Sequence, residues 1–393
     1  MTIEGRSEAA LGRRIRLGMV GGGEGAFIGA VHRLAARMDD HYEFVAGALS
    51  STPEKARRSG EALGLDPDRI YPDYETMAKA EAARPDGIEA VAIVTPNHMH
   101  ADPIIAFLAA GVHVISDKPL TTSLAEARRI QAAVEKAGRV FALTHNYTGY
   151  PLVRRAREMV QAGELGDIRI VQVEYPQEWL TETIETSGHK QAEWRVDPAR
   201  SGLGGALGDI GTHAYNLADY VTGVDLVELA ADLTSFGKGR ALDDNAQIML
   251  RYANGARGSL WVSQVAPGHE NGLRLRVYGT KGSLQWVQAN PNEMLYSPFG
   301  EPTRILTRAG PGSGEAASRV TRVPSGHPEG YLEGFANIYS DIALAIKAHR
   351  KGEQPPAGAH FPDIADGVKG LAFMEAAVAS SKANGQWVTL EKA

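Results

Sequence analysis

The chain has 393 residues, of which 43% are hydrophobic and 22% charged, a composition typical of globular proteins. This length predicts roughly two to three domains. A net charge of −6 argues against nucleic acid or an anionic membrane as a partner, and the absence of cysteine excludes disulfides and thiol catalysis. With no apolar run near the ~18 residues of a membrane span and no signal-peptide core before the first strand, we expect a cytoplasmic protein.

A glycine-rich turn near the start of the chain joins an apolar segment, beginning at Ile15, to an apolar-periodic segment, beginning at Phe27. A strand, a glycine turn and a helix in this order bring backbone N–H groups and the positive end of the helix dipole to a phosphate. Gly21 and Gly23 fit the first two positions of the dinucleotide fingerprint. The glycine that closes the helix–strand contact is taken as Gly29, later than in the plain motif. Alone, the pattern equally describes an ordinary glycine-rich turn.

The residues after the second predicted strand (44–50) bear on the choice of cofactor. An acidic side chain at this place normally binds the ribose 2′-hydroxyl of NAD. Here the residues are Ser50 and Ser51, and Lys55 lies close by in sequence. This arrangement permits NADP without requiring it, because serines can also bond a free ribose.

Three further buried strands are predicted over residues 90–94, 112–116 and 139–144. Each is followed by a polar cluster, at residues 95–100, 117–118 and 145–147. Strands that alternate with helices predict a parallel, doubly wound α/β sheet, and ligands bind beyond the carboxyl ends of such strands. These clusters therefore converge on one edge of the sheet, which predicts a dinucleotide-binding Rossmann domain over residues 13–148.

Residues 149–393 are interpreted as an α+β domain for substrate binding and oligomerisation. Alternating strands around 226–237, 244–252, 257–265 and 272–280 predict a large, open, predominantly antiparallel or mixed sheet. Few charges protect its exposed face, so we expect a homodimer or homotetramer formed through this sheet. Residues 298–329 are interpreted as one long irregular loop. The C-terminal helix over 362–381 is a candidate to pack back on the first domain.

Two groups of residues suggest chemistry. Asp209 and His213 are four residues apart in a predicted helix and so share a face. A carboxylate beside an imidazole raises its basicity, as removal of a proton from an alcohol requires; a surface ion pair is the alternative. Lys118 follows a buried strand, where an ammonium could polarise a developing alkoxide or carbonyl oxygen; a solvated lysine is the alternative. No cluster has metal-ligand spacing, so we predict no catalytic metal.

From about residue 14 onward, the chain resembles the Gfo/Idh/MocA family of sugar and cyclitol dehydrogenases. The resemblance rests on the glycine turn 21–29 with His32, Thr95-Pro-Asn-His-Met-His100, Asp117-Lys-Pro119, and Trp194-Arg195 followed by Gly204-Gly-Ala-Leu-Gly-Asp-Ile-Gly-Thr-His213. It implies that Lys118 contacts the reacting oxygen, that His213 is the general base and that Asp209 supports it. In the same way it implies that Pro96, Asn97 and His98 line the nicotinamide.

Together, the motif, the strand ends and the resemblance define the candidate sites. The catalytic candidates are Lys118, Asp209 and His213. The cofactor-binding candidates are Gly21, Gly23, Phe27, Ile28, Ser50, Ser51, Lys55, Thr95, Pro96, Asn97, His98, His100, Asp117, Lys118, Asn146 and Arg195. The substrate-binding candidates are Lys118, Tyr147, Tyr150, Trp179, Trp194, Arg195, Asp209, His213 and His327.

The sequence also departs from the family pattern at three places. The glycine turn is lengthened, Asp117 replaces the usual glutamate, and Asn216 stands where many members have aspartate. The resulting hypothesis is an NAD(P)-dependent oxidoreductase that acts on a secondary hydroxyl of a cyclitol or sugar. The alternatives are an NAD-dependent glycosidase, an enzyme whose tightly held cofactor cycles between two sugars, and a non-catalytic dinucleotide-binding regulator.

Overall fold

The computed structural model describes residues 13–187 and 197–391. Within these ranges, no helix has both the length and the apolar character needed to cross a membrane. The chain divides into two compact units. The first contains residues up to 121, 125–149 and 331–368, and the second contains 122–124, 150–330 and 369 onward. The sequence-based boundary at 148 assigns residues 331–368 to the other domain.

The first unit is built on a five-stranded parallel sheet. Its strands are β1 (Ile15–Gly21), β2 (Tyr42–Ala48), β3 (Ala90–Val94), β4 (His113–Ser116) and β5 (Phe141–Leu143). Their spatial order is β2-β1-β3-β4-β5, and each neighbouring pair is parallel. All five residues of β3 are buried, as expected for a strand covered on both faces. The prediction of a parallel, doubly wound sheet is confirmed.

Five helices are interleaved with these strands: α1 (Phe27–Met38), α2 (Pro53–Ala62), α3 (Tyr74–Ala83), α4 (Ala101–Ala109) and α5 (Leu124–Ala137). Far along the chain, α10 (Tyr331–Lys351) also belongs to this unit. Its buried residues Phe335, Ile338 and Ile342 lie in the same apolar core as Leu17 of β1 and Val31 of α1. Each such side chain contributes about 1.5–3 kcal/mol when fully buried, so α10 is an integral part of the first unit.

The second unit contains a nine-stranded mixed sheet. Its strands are β6 (Ile168–Pro176), β7 (Leu226–Thr234), β8 (Asn245–Tyr252), β9 (Arg257–Ser263), β10 (Arg274–Gly279), β11 (Gly282–Val287), β12 (Glu293–Pro298), β13 (Arg304–Thr307) and β14 (Val388–Thr389). Their spatial order is β13-β12-β11-β10-β6-β9-β8-β7-β14. Strands β6 and β9 pair in parallel, and the remaining described pairs are antiparallel. The predicted large, mostly antiparallel open sheet is confirmed.

The helices that accompany this sheet are α6 (Pro151–Gln161), the short α7 (Pro198–Ser201), α8 (Thr212–Thr222), α9 (Gly314–Arg319) and the C-terminal α11 (Ile364–Lys382). The prediction of one irregular loop over 298–329 is wrong, because this segment contains β13 and α9. Strand β13 pairs with β12, a non-local contact that the glycine- and proline-rich composition conceals.

The expectation that few charges lie on one face of this sheet is also wrong. Glu174 forms ion pairs with Arg274 and Arg276. Further along the sheet, Glu228 of β7 forms an ion pair with Arg251 of β8. Exposed apolar residues lie on strands of the same sheet, among them Met249 on β8 and Ile305 on β13. The face is therefore a mixture of apolar residues and paired charges.

Candidate active site

The glycine turn at the end of β1 lies at the point where the strand order reverses, between β1 and β3, where doubly wound sheets bind ligands. Gly21 and Gly22 have φ of +79° and +71°, a region that glycine adopts without a steric penalty. A Cβ atom on Gly29 would lie only 2.4 Å from the Gly22 Cα. Gly29 therefore permits the close helix–strand contact that the sequence assigns to it.

Two backbone N–H groups of this turn are already hydrogen-bonded within the protein. The N–H of Gly23 donates to the Leu49 carbonyl (3.2 Å), and the N–H of Glu24 donates to Ser59 Oγ (3.0 Å). At the start of α1, by contrast, Ala26 supplies no capping side chain and the first turn has no acidic residue. Unsatisfied N–H groups at a helix N-terminus form an anion-binding site. The first turn of α1, which includes Phe27 and Ile28, thus fits a dinucleotide pyrophosphate.

The end of β2 has the serines expected there. Ser50 Oγ accepts the N–H of Thr52 at 3.2 Å, which forms a tight turn before α2. Ser51 is exposed and Lys55 is half-buried. The residues after β2 are thus small and polar, with a nearby ammonium group and no carboxylate between Ser50 and Pro53.

Polar residues after β3 occupy a 3-10 turn, Asn97–Met99. Asn97 is buried, whereas His98 is exposed. His100 is also buried, and its ring lies between two backbone carbonyls: Nδ1 is 2.9 Å from the Pro119 oxygen and Nε2 is 2.8 Å from the Thr95 oxygen. The imidazole of His100 therefore ties the end of β3 to the segment after Lys118.

Asp117 fixes the backbone at Lys118. Its Oδ1 atom accepts the Lys118 N–H at 2.9 Å and the hydroxyl of Thr144 at 3.1 Å. The same oxygen is 3.9 Å from Nε2 of His32 on α1. Burial alone would raise the pKa of Asp117, but His32 and the charge of Lys118 outweigh it and lower this pKa to about 2. Asp117 is therefore ionised near neutral pH.

His32 links Asp117 to α10. The imidazole is completely buried, and its Nδ1 atom is 2.7 Å from the phenol oxygen of Tyr339. Phe335 packs edge-on against the same ring. This group joins the glycine-turn helix, the end of β4 and α10 within the first unit.

His145, after β5, lies within electrostatic reach of Lys118, which agrees with the convergence of strand ends that the sequence predicts. Burial and the charge of Lys118 lower the pKa of His145 to about 3, so the imidazole is neutral near pH 7. The next two residues, Asn146 and Tyr147, are also buried, in the 3-10 turn Asn146–Gly149. The groups near Lys118 in the first unit therefore include the neutral imidazole of His145 and the carboxylate of Asp117.

In the second unit, Asp209 and His213 lie on consecutive helical segments rather than on one α-helix. Asp209 is in a π-helical turn, Leu207–Gly211, and His213 is the second residue of α8. Asp243 accepts the N–H groups of Gly205 and Leu207, each at 2.8 Å. Burial raises the pKa of Asp243 to about 6, against the effect of these two hydrogen bonds. Asp243 thereby fixes the backbone that leads into the turn.

Gln264 holds the carboxylate of Asp209. Its side-chain amide donates to Asp209 Oδ2 at 2.9 Å, and only 1% of Gln264 is exposed. Its backbone N–H donates to the Asp244 carbonyl, and its carbonyl accepts the Leu180 N–H. Because Gln264 is 55 residues from Asp209, no local pattern could have identified it.

The other substrate candidates have diverse environments. In the second unit, Tyr150 is buried against Trp286, with ring centroids 5.3 Å apart. Trp179 is half-buried and donates its indole N–H to Gln177. His327 is exposed. Trp194 and Arg195 lie outside the described residues.

A parallel sheet with a glycine turn at its switch point defines a Rossmann-type, dinucleotide-binding protein, and comparison with known proteins identifies its family. Residues 15–145 match the model described as "Oxidoreductase family, NAD-binding Rossmann fold", and residues 153–285 match the GFO/IDH/MocA C-terminal domain. The chain therefore belongs to the Gfo/Idh/MocA family of NAD-binding oxidoreductases. The resemblance inferred from the four sequence segments is confirmed.

Individual relatives match over nearly the whole chain. A solved oxidoreductase from Sinorhizobium meliloti is 57% identical, with a TM-score of 0.88, over 96% of this chain and 100% of that one. An inositol dehydrogenase homolog from Azotobacter vinelandii, solved with NADH and myo-inositol, is 37% identical, with a TM-score of 0.89, over 97% and 98%. A levoglucosan dehydrogenase from Pseudarthrobacter phenanthrenivorans is 27% identical over 96% and 98%.

Proposed function

We propose that this protein is an NAD(P)-dependent dehydrogenase that oxidises a secondary hydroxyl of a cyclitol or sugar. The names of its relatives support the substrate class, because they include an inositol dehydrogenase homolog and a levoglucosan dehydrogenase. The position of Lys118, Asp209 and His213 in the family motifs supports catalysis rather than a purely regulatory role.

The observation that carries the proposal is the restraint of Asp209. A catalytic carboxylate must keep one orientation and stay ionised beside its histidine, and the buried amide of Gln264 donates to it at 2.9 Å. A carboxylate that merely faced solvent at the surface would not need a buried hydrogen-bond donor. The π-helical turn that contains Asp209 also supports a functional role, since such turns occur frequently at functional sites.

We assign the cofactor to the first unit. The first turn of α1 would bind the pyrophosphate, Ser50 and Ser51 the adenosine ribose, and the segment 95–98 the nicotinamide. We leave His100 out of the cofactor ligands, because both of its ring nitrogens already lie against backbone carbonyls. NAD, when bound, supplies a hydride acceptor; without an acidic residue after β2, NADP is an alternative.

The chain's own residues would supply the proton chemistry. We assign His213 as the base that takes the hydroxyl proton, Asp209 as the carboxylate that orients and stabilises the resulting imidazolium, and Lys118 as the ammonium that stabilises the oxygen. Asp117 would hold the backbone of Lys118 in place. We further propose a homodimer or homotetramer that forms through the open face of the nine-stranded sheet, which is supported by its exposed apolar residues, such as Met249 and Ile305, despite the paired charges beside them.

The experiment is a survey of initial rates at 340 nm with NAD and then NADP. The panel contains inositols, D- and L-aldoses and anhydro-sugars such as levoglucosan. Substrate-dependent reduction of either cofactor supports the proposal, and the preferred cofactor defines the role of Ser50. Nitrophenyl glycosides in parallel test the glycosidase alternative, which predicts cleavage without accumulation of NADH. Intact cofactor binding with no reduction on any panel member would contradict dehydrogenase activity.

A further inference from the structure

A chain of hydrogen-bonded side-chain amides lies in the second unit. The indole N–H of Trp179 donates to Gln177 Oε1 at 3.1 Å. The amide nitrogen of Gln177 donates to Asn271 Oδ1 at 2.9 Å, and Asn271 Nδ2 donates to Gln288 Oε1 at 2.9 Å. Gln177, Asn271 and Gln288 are all half-buried. They come from three separate segments of the second unit, so their alignment arises only in the fold.

The hydroxyl of Tyr175 connects this chain to the proposed base. It donates to the same Asn271 oxygen, at 2.7 Å. The ring of Tyr175 is 6.4 Å from the imidazole of His213, centroid to centroid. The ring of Tyr175 therefore links the amide chain to His213.

The hydrogen bonds also fix which way each amide faces. Because Asn271 Oδ1 accepts from both Gln177 and Tyr175, its Nδ2 atom must point towards Gln288. An amide nitrogen has two hydrogens, and the chain uses one hydrogen of Gln177 and one of Asn271. The second hydrogen of each group can donate to a hydroxyl oxygen on a ligand.

We propose that Gln177 and Asn271 form a substrate-specificity subsite that binds hydroxyl groups of a neutral polyol remote from the oxidised carbon. This inference rests on the proposed dehydrogenase function and deepens it. The amide chain contains no charged side chain, and neutral donors suit a hydroxyl better than a carboxylate or phosphate, whose desolvation would lack a compensating charge.

The test uses Asn271→Ala, with Asn290→Ala as a matched control. Asn290 lies just beyond Gln288 in sequence, but it is exposed and its side chain bonds to Glu293. The probes are myo-inositol and levoglucosan, together with their monodeoxy analogues. Affinity by titration calorimetry, kcat/KM and the thermal midpoint are measured for each variant. Gln177→Ala, at the other side of the same hydrogen bond, is a second variant should Asn271→Ala unfold.

We expect Asn271→Ala to lower affinity and kcat/KM about tenfold for the better probe, the loss typical of one hydrogen bond. One monodeoxy analogue should be insensitive to the substitution, because it lacks the hydroxyl that the amide binds. NAD affinity should not change. Equal values for wild type, Asn271→Ala and Gln177→Ala would overturn the subsite. Amide-dependent binding without oxidation would contradict only the proposed dehydrogenase, whereas normal oxidation by all variants would contradict only the subsite.

Discussion

The side-chain amide of Gln264 donates to Oδ2 of Asp209 across 2.9 Å, and this contact joins the end of β9 to the π-helical turn before His213. Gln264→Leu keeps most of the side-chain volume but removes the donor. We expect kcat to fall about tenfold, which corresponds to ~1.4 kcal/mol, with an unchanged Kd for NAD. Steady-state rates and cofactor titrations measure the two quantities.

Gln264→Glu sharpens this prediction, because it places a second carboxylate against Asp209. We expect a larger loss of kcat than for Gln264→Leu. We also expect the ratio of this kcat to that of wild type at the same pH to recover partly as the pH falls, because the introduced carboxyl group becomes protonated and can then donate. Gln161→Leu is the control, because Gln161 is an exposed residue at the end of α6. Wild-type rates in both variants at position 264 would show that the contact does not position Asp209.

Asp117 should stabilise the first unit in an acid-dependent way. The pKa of this carboxyl is lowered in the fold to about 2, so its contribution is present above the unfolded pKa near 4 and is lost as the pH falls towards 2. Asp117→Asn should therefore lower the thermal midpoint at pH 6, and the difference from wild type should narrow below pH ~3. Asp102→Asn, at a side chain 70% exposed, is the control. A pH-independent difference would contradict this assignment.

Asp243 should make stability depend on pH in the opposite direction. Its pKa is raised in the fold to about 6, so the native state binds the proton more tightly than the unfolded state, and stability should fall as the pH rises from ~4 through ~6. The thermal midpoint of wild type should fall across this pH window, and Asp243→Asn should make that fall smaller. The control is Asp232→Asn, on an exposed residue of β7, which should show the same fall as wild type. An equal decline in both variants would exclude Asp243 as its source.

The buried ion pair between Arg308 and Glu329 should stabilise the segment after β13. Nη1 of Arg308 lies 3.1 Å from Oε1 of Glu329, and both side chains are 2% exposed. Arg308→Met leaves a buried carboxylate without its positively charged partner, so we expect a loss of about 3–5 kcal/mol. The nearby pair of Arg304 and Glu301 is more than half exposed, and Arg304→Met should cost less than about 1 kcal/mol. Urea unfolding of both variants tests this contrast, and similar losses would contradict it.

Features that depend on short sequence patterns could be predicted. The apolar runs of β1 and β3, the glycine turn and the alternation of strands with helices indicate a doubly wound sheet without any distant contact. Gly29 illustrates this, because the fingerprint assigned it to the close helix–strand contact and a Cβ atom there would lie 2.4 Å from the Gly22 Cα. The polar ends of the strands likewise follow directly from strand placement.

Features that depend on distant partners could not be predicted. The pairing of β13 with β12 and the inclusion of α10 in the first unit arise from contacts that no local pattern reveals. The same holds for Gln264 beside Asp209. The π-helical turn at Asp209 was also missed, since its spacing from His213 matches an ordinary α-helix equally well.

Lys118→Ala tests the assignment of this protein as a dehydrogenase most directly. The measurement is the initial rate at 340 nm on the best polyol of the panel, with the Kd for NAD by calorimetry and Lys136→Ala, an exposed lysine of α5, as the control. We predict that Lys118→Ala loses about 10²–10³-fold in kcat while its Kd for NAD and the rate of Lys136→Ala stay at wild-type values. A Lys118→Ala enzyme as fast as wild type would contradict the proposed role of Lys118.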